Sequence, residues 1–306
     1  MSNKIINRLK VLSDHNKGVI VLVWLAFIYA IMGIFVRYLN TSFAIFQQIY
    51  LRMFAAFLMS LIFFNKSLDL SKLRRITLKE WSLLTLRSIS FYILGVNLFT
   101  RALLLTKYSN VSFIGSLPLT AFFGFLLFKE KLTIKKVLLI ILAFGGVMLI
   151  SAQDYSNLLS WVKGDFYALI SAVFFSFAYV TRKWHSNLLT NKEITSLILL
   201  IGSIILFLAS ILAGESLPSS GWSLGIIIAV LASGFFNVLN NFLSQYGFQK
   251  VEAVHASNIL TLESAFAVLI GLIVFSETPA LKEILGGLLI VASVILMNKV
   301  EAKNNT

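Results

Sequence analysis

The chain of 306 residues has no cysteine, three prolines and three histidines, and only 13% of its residues are charged. Without cysteine there is no disulfide framework and no thiolate metal site. The histidines, His15, His185 and His255, stand at or near the edges of apolar stretches, and no two share the spacing of one helix face. Paired-histidine metal sites and nucleophile–base pairs therefore lack their parts. No glycine-rich run ends in Gly-Lys-Ser or Gly-Lys-Thr, which removes the phosphate-cradling loop of nucleotide-driven machines. Acidic residues number 13 against 26 Lys and Arg, with no cluster suited to a divalent ion. The sequence asks for no cofactor and no metal. A membrane-embedded enzyme, the reading from another class, is left without a reactive pair, and a sensor is left without a soluble domain.

What the chain has in excess is apolar surface. Hydrophobic residues make up 58% of it and mean hydropathy is +0.88, against about 45–50% apolar in an average soluble domain. The excess is organised into stretches of roughly 20 residues, the length that crosses a hydrocarbon core of about 30 Å. Ten spans are predicted: 18–38, 43–64, 81–105, 108–128, 133–152, 165–184, 194–213, 223–244, 254–275 and 281–298. The first is too long for a signal-peptide core and lacks a small-residue cleavage site, so it reads as a retained span. The fold class is an all-α integral membrane protein, and the lipid bilayer is its first partner.

Basic residues set the orientation. With the N-terminus inside, Arg37, Arg101, Lys107, Lys163 and Lys282 fall outside, Arg52 and Arg87 fall within spans, and the remaining 19 of 26 are cytoplasmic. Both termini are then cytoplasmic, in the inner membrane of the cell. The net charge of +13 belongs to these loops and not to a nucleic-acid surface. Segment 65–80 sets Leu68, Leu70, Leu73 and Ile76 among Lys66, Lys72, Arg74, Arg75 and Lys79, the pattern either of a short interfacial helix on anionic headgroups or of a solvated basic loop.

The halves match at an offset of 145–147 residues. Phe128-Lys129-Glu130-Lys131 corresponds to Phe275-Ser276-Glu277-Thr278, Gly146-Val147 to Ser293-Val294, Gly18 to Gly164, and Arg37-Tyr38 to Lys183-Trp184. Five spans per repeat is an odd number, so the second copy enters the membrane upside down. The organisation is then a cytoplasmic segment 1–17, a first repeat 18–152, an outer connection 153–164, an inverted second repeat 165–298 and a tail 299–306. Inverted repeats are the architecture of secondary carriers, whose sites lie near the midplane between the halves.

Ionisable groups inside spans mark the candidate site, because each costs roughly 2.5–3.5 kcal/mol at the bilayer centre. Arg52 lies nine residues from the outer end of span two and Glu263 nine from the inner end of span nine. At 1.5 Å per residue both are ~13 Å deep, which allows a direct or water-bridged pair, either as a lock between helices or as a gate. Arg87 sits ~9 Å deep, where it either snorkels to the inner headgroups or joins the pathway. Arg101 is 14 residues further along nearly the same face. In span eight, Asn237, Asn241 and Gln245 are four apart and share a face, suited to a solute's hydrogen bonds or to bonds between helices. Asn97, Tyr29 and Tyr179 are further candidates for solute binding. Pro118 removes a backbone hydrogen bond inside span four and is expected to break it at the cavity. Glu130 and Glu277 are expected to be architectural, complementing helices capped by Thr133 or Thr278 with Pro279 in the first turn.

Several of these segments carry a family likeness. Tyr50-Leu51-Arg52-Met53-Phe54-Ala55-Ala56 resembles the arginine-bearing second span of the drug/metabolite transporter superfamily, EamA-type. Ser116-Leu117-Pro118-Leu119-Thr120-Ala121-Phe122 followed by Lys129-Glu130-Lys131-Leu132-Thr133 is similar to the family's fourth span and its glutamate turn. Leu262-Glu263-Ser264-Ala265-Phe266 resembles the Leu-Glu-Pro signature of span nine, with Ser264 in place of the proline, and Gly286-Gly287-Leu288-Leu289-Ile290 resembles the start of the last span. The resemblance covers nearly the whole chain. It implies a 5+5 inverted bundle around a central cavity lined mainly by spans one to four and six to nine. The function expected is secondary transport of a small polar solute, zwitterionic or anionic because arginine outnumbers the single glutamate, by alternating access with a proton or a counter-substrate as partner. Export of cationic or hydrophobic drugs is the alternative within the same superfamily.

Overall fold

The computed structural model describes residues 14–129, 133–154, 157–251, 256 and 259–304. The regular structure among the described residues is helical apart from a short antiparallel hairpin, Ala152–Asp154 with Asn157–Trp161, in the connection between the halves. The helices are α1 (Asp14–Leu39), α2 (Ile45–Phe64), α3 (Leu78–Leu105), α4 (Tyr108–Gly115), α5 (Leu119–Phe128), α6 (Ile134–Ser151), α7 (Lys163–Val180), α8 (Asn191–Leu212), α9 (Leu224–Lys250), α10 (Leu262–Phe275) and α11 (Leu281–Asn304). Six of them, within Asn16–Leu39, Ile45–Ser67, Leu78–Leu105, Lys163–Trp184, Asn191–Leu212 and Leu224–Lys250, are long and apolar enough to cross a membrane. Their outward faces stay apolar, with Ile62, Leu208, Leu212 and Ile228 among the exposed large side chains. A continuous surface of that kind is stable only against lipid or a partner.

Helix starts follow local chemistry. The Thr77 hydroxyl accepts from the Glu80 amide at the head of α3 and Ser223 does the same for Ile226 at α9. Thr190 and Glu193 form a reciprocal capping box at α8, each satisfying amides that a helix start leaves unpaired. Two spans depart from the regular pattern. The predicted span 108–128 is two helices: α4 ends at Gly115 and α5 begins after Pro118, which has no amide proton to continue the ladder. The predicted span 254–275 is interrupted by a turn at Thr261: Ile259 and Leu260 before it are helical, and α10 runs on from Leu262. Within α3, residues Ile89–Val96 form a π-helical stretch, wider than an α-helix and common near functional sites.

The connections sort into two ends. At one end Arg37 of α1 pairs with Glu277 at 2.5 Å and donates to the carbonyls of Leu103 and Thr106. Lys107 pairs with Glu283 at 2.8 Å, and the Thr106 hydroxyl donates to Asp165 at 2.7 Å. Glu215 accepts from the amides of Phe46 and Gln47. At the other end Asp14 pairs with Lys250 (2.6 Å), Lys72 with Glu193 (3.0 Å) and His185 with Glu80 (2.6 Å), while Lys192 donates to Ser67. Segment 65–80 folds as two short 3-10 turns, Asn65–Ser67 and Leu70–Arg75, with Leu70 largely exposed.

Glu277 departs from expectation. Its carboxylate faces Arg37 and the Tyr108 amide (2.7 Å), so it serves the start of α4 instead of the helix that follows it. Helix α11 begins after Ala280, whose amide donates to Glu283; Thr278 and Pro279 precede the cap. Glu130 and His255 lie outside the described residues.

Helix packing repeats across the halves. α1 packs on α9 as α7 packs on α3, α2 on α9 as α8 on α3, while α2 meets α8 and α6 meets α11. Lys129 and Ser276, 147 apart, each end their helix in the left-handed region with φ of 55°. A Cβ on Gly146 would meet the Gly286 carbonyl oxygen at 2.5 Å, and the Ser293 hydroxyl donates to the Leu139 carbonyl at 2.6 Å. The offset of 147 turns the first of these contacts into the second.

Candidate functional site

Between the two sets of helices lies a cavity offering about 120 Å³ to the centres of water molecules. That is room for several waters or for one small metabolite. Both helix breaks open onto it: Gly115, Ser116, Leu117 and Thr120 from the Pro118 break, and Leu260 and Glu263 from the start of α10. Ser116 and Ser264 bridge the two breaks, Oγ to Oγ, at 2.5 Å. The α10 break thus exists without the proline, through an irregular turn at Thr261.

Arg52 and Glu263 line the same cavity. Arg52 is 1% exposed; its Nε donates to the Gln48 carbonyl at 3.1 Å and its Nη2 has no partner among the described residues. Among the described residues no ion pair joins Arg52 to Glu263, so the direct lock the depths allowed is not formed here. Asn237 and Asn241 also line the space, each donating back along α9 to the carbonyl four residues earlier, and Asn241 accepts from the Tyr92 hydroxyl at 3.2 Å. Asn240 lines it too and holds its Oδ1 unpartnered, as does Thr120 its hydroxyl. Unpartnered buried polar atoms are rare in folded proteins. Here three of them, on α2, α5 and α9, share one space.

One wall is aromatic. Tyr29 and Tyr179 meet hydroxyl to hydroxyl at 2.5 Å. Phe248 stacks on Tyr179 with ring centres 4.8 Å apart and planes 7° apart, and Phe175 and Phe91 continue the cluster. Ser171, Ser176 and Phe99 complete the lining from α7 and α3.

The other sequence candidates sit elsewhere. Asn97 accepts from Arg101 Nε at 3.0 Å on α3 and does not line the cavity. Arg87 is buried among protein groups instead of reaching headgroups: its Nε donates to the Ala178 carbonyl (3.0 Å) and its Nη2 to Gln245 (3.3 Å). Arg87 and Gln245 therefore belong to a polar cluster near the basic end, together with Glu80, Arg182 and His185. Burial, with the Arg87 charge second, pushes His185 down to about 4, while its Nδ1 bond to Glu80 opposes the shift. His185 is neutral at physiological pH.

Sequence missed Asn240, Thr120, Ser171 and Ser176. Serine and threonine satisfy themselves on their own helix backbone in any span, so only the fold shows which face a cavity. Asn240 was nameable from its type, but the face argument favoured its neighbours.

A bundle of apolar helices, broken at two points around a cavity with isolated polar groups, is the architecture of a multi-pass membrane protein. The chain belongs to the EamA-like transporter family, whose model matches it twice, over residues 16–152 and 162–299. It is 30% identical over 176 residues to an uncharacterized transporter of Archaeoglobus fulgidus, a match spanning 56% of this chain and 60% of that protein. A protein crystal structure at 15% identity superposes with a TM-score of 0.70, covering 93% of this chain and 98% of the other. At that identity the likeness is one of fold.

Proposed function

We propose that the protein is a secondary carrier of a small zwitterionic or anionic metabolite, amino-acid-like in size, working by alternating access of two inverted five-helix repeats in the inner membrane. Both termini are cytoplasmic in this reading, since the basic end carries the Lys- and Arg-rich loops. The observation that carries it is the unpaired Arg52 guanidinium, with one nitrogen free, in the same enclosed cavity as Glu263 and between two broken helices. A guanidinium held by one backbone bond has a fork left for a carboxylate. Glu263 faces the same space from the first turn of α10, where it can meet a solute ammonium group or hold a proton. With no nucleotide-binding loop in the chain, the energy comes from a gradient or an exchanged solute.

The test is uptake by purified protein in liposomes, with and without a pH gradient. Glu263→Gln keeps the side-chain shape and loses the exchangeable charge. It is expected to abolish gradient-driven accumulation and to preserve the fold. Accumulation at the unaltered rate would reduce Glu263 to a structural residue. The aromatic wall of Tyr179, Phe248, Phe175 and Phe91 favours a second reading, export of organic cations, through ring faces that attract positive charge. Permanent cations outcompeting every carboxylate would select it.

A further inference from the structure

We infer that the basic end of the bundle holds a second binding site, separate from the central cavity, for the oxyanion group of a small solute or a lipid: a carboxylate or a phosphate. A pocket opens there between the end of α7 and the end of α9, with Arg182, Lys183, His185, Asn187, Gln249 and Lys250 in its lining. Its floor is Phe248, which also lines the central cavity, so the Tyr179–Phe248 stack is the partition between the two spaces.

The charges around this pocket do not close among the described residues. Arg182 is buried; its Nη2 donates to Asn191 at 2.6 Å, and its Nε has no partner. Directly behind it Arg87, also buried, bonds only to a carbonyl and an amide oxygen, with Nη1 unpartnered. The two guanidinium groups stand close enough to repel each other. Neither forms an ion pair with a described carboxylate. The carboxylate in their midst, Glu80, is engaged by the His185 ring at 2.6 Å and by the Ser186 amide at 3.3 Å. His185 faces Glu80, Arg87 and Arg182, and burial together with the Arg87 charge disfavours its protonation. Buried charges are ordinarily paired, because an isolated one is expensive. Glu80 gives the two neighbouring guanidinium groups one negative charge between them, and among the described residues no second carboxylate pairs with either; Lys250 at the pocket rim is paired with Asp14. Arg182 Nε, a planar donor, suits an oxyanion.

The site stands on these contacts alone. It rests on the carrier reading only for the suggestion that the anion is the solute, held at the inner mouth as it enters or leaves. A lipid headgroup phosphate has the same chemistry, and basic pockets at the cytoplasmic side of transmembrane bundles are suited to it.

Because the chain has no cysteine, Asn187→Cys, at an exposed lining position, can carry an environment-sensitive dye. In nanodiscs of phosphatidylcholine, titration with inorganic phosphate and with succinate is expected to give a saturable change. Arg182→Gln is expected to weaken binding about tenfold or more, the worth of one charge-assisted hydrogen bond. Lys250→Gln, at the rim, also gives up the ion pair with Asp14 and is expected to weaken it a few-fold. Arg52→Met is expected to leave this binding unchanged, which separates failure here from failure of the central-site reading. A response to phosphatidylglycerol that phosphate competes away assigns the site to headgroups; binding of phosphate or succinate unaffected by phosphatidylglycerol assigns it to a soluble anion. No saturable response to any of the three, or equal binding after both Arg182→Gln and Lys250→Gln, overturns the inference.

Discussion

Replacing Arg52 with methionine should make the protein more stable and stop it working. The guanidinium is 1% exposed and makes one hydrogen bond, to the Gln48 carbonyl. Losing that bond costs about 1.5–3 kcal/mol, and the unpartnered Nη2 gives back about 1–3 kcal/mol of desolvation penalty. The larger change is removal of a buried charge with no ion-pair partner, whose effective penalty is several kcal/mol. Methionine retains the apolar stem beside Met53, so little packing is lost. The balance favours Arg52→Met by ~1–3 kcal/mol, read as a higher unfolding midpoint in denaturant titration of the purified protein. Transport of a carboxylate solute should fall at least a hundredfold, about the 3 kcal/mol expected for a lost charge-assisted contact. A destabilised Arg52→Met protein that still transports would refute this reasoning. Arg52 would then be paired at rest and serve the fold.

Three further outcomes follow from the contacts. A single cysteine at Ser219, in the loop beside Gly221 and Ser42, should react with an impermeant thiol reagent in intact cells, and one at Lys66 only after permeabilisation; the reverse pattern would invert the topology. Gly146→Leu should destabilise by ~1–3 kcal/mol through overpacking, since its Cβ would meet Gly286 oxygen at 2.5 Å and Ile290 Cγ1 at 2.8 Å, whereas Gly145→Ala, with nothing within 4 Å, should be neutral or slightly stabilising in the same melts. Because burial holds His185 near 4 in the folded state against about 6.5 unfolded, the unfolded chain binds more protons between those values. Stability should therefore drop as pH falls from 6.5 towards 4, and His185→Asn should flatten that slope.

Hydropathy located the six helices that are long and apolar enough to cross a membrane, because a lipid-facing helix advertises itself through every residue it exposes. The Pro118 break was legible for the same kind of reason: a missing amide proton acts locally. The start of α10 at Leu262 was not, since no proline or glycine marks Thr261 and the turn is set by contacts such as Ser116 with Ser264. The π-helical stretch 89–96 was equally silent. Depth arithmetic brought Arg52 and Glu263 to one level, and both do line the cavity, but their separation depends on helix rotation, which depth does not fix. Arg87 shows the same gap. Its depth was consistent with snorkelling or with a pathway, and its actual partners, Ala178 and Gln245, come from α7 and α9.

The packing of α6 against α11 has a practical consequence. Exchanging the halves by the offset of 147 converts the Gly146–Gly286 approach into the Leu139–Ser293 hydrogen bond, so this helix pair is its own mirror partner. If the two repeats trade conformations as proposed, an arrangement of that kind looks alike at both extremes. Spectroscopic labels attached to α6 and α11 would then provide a stationary ruler inside the molecule, against which displacements of α1, α3, α7 and α9 could be measured while the solute passes.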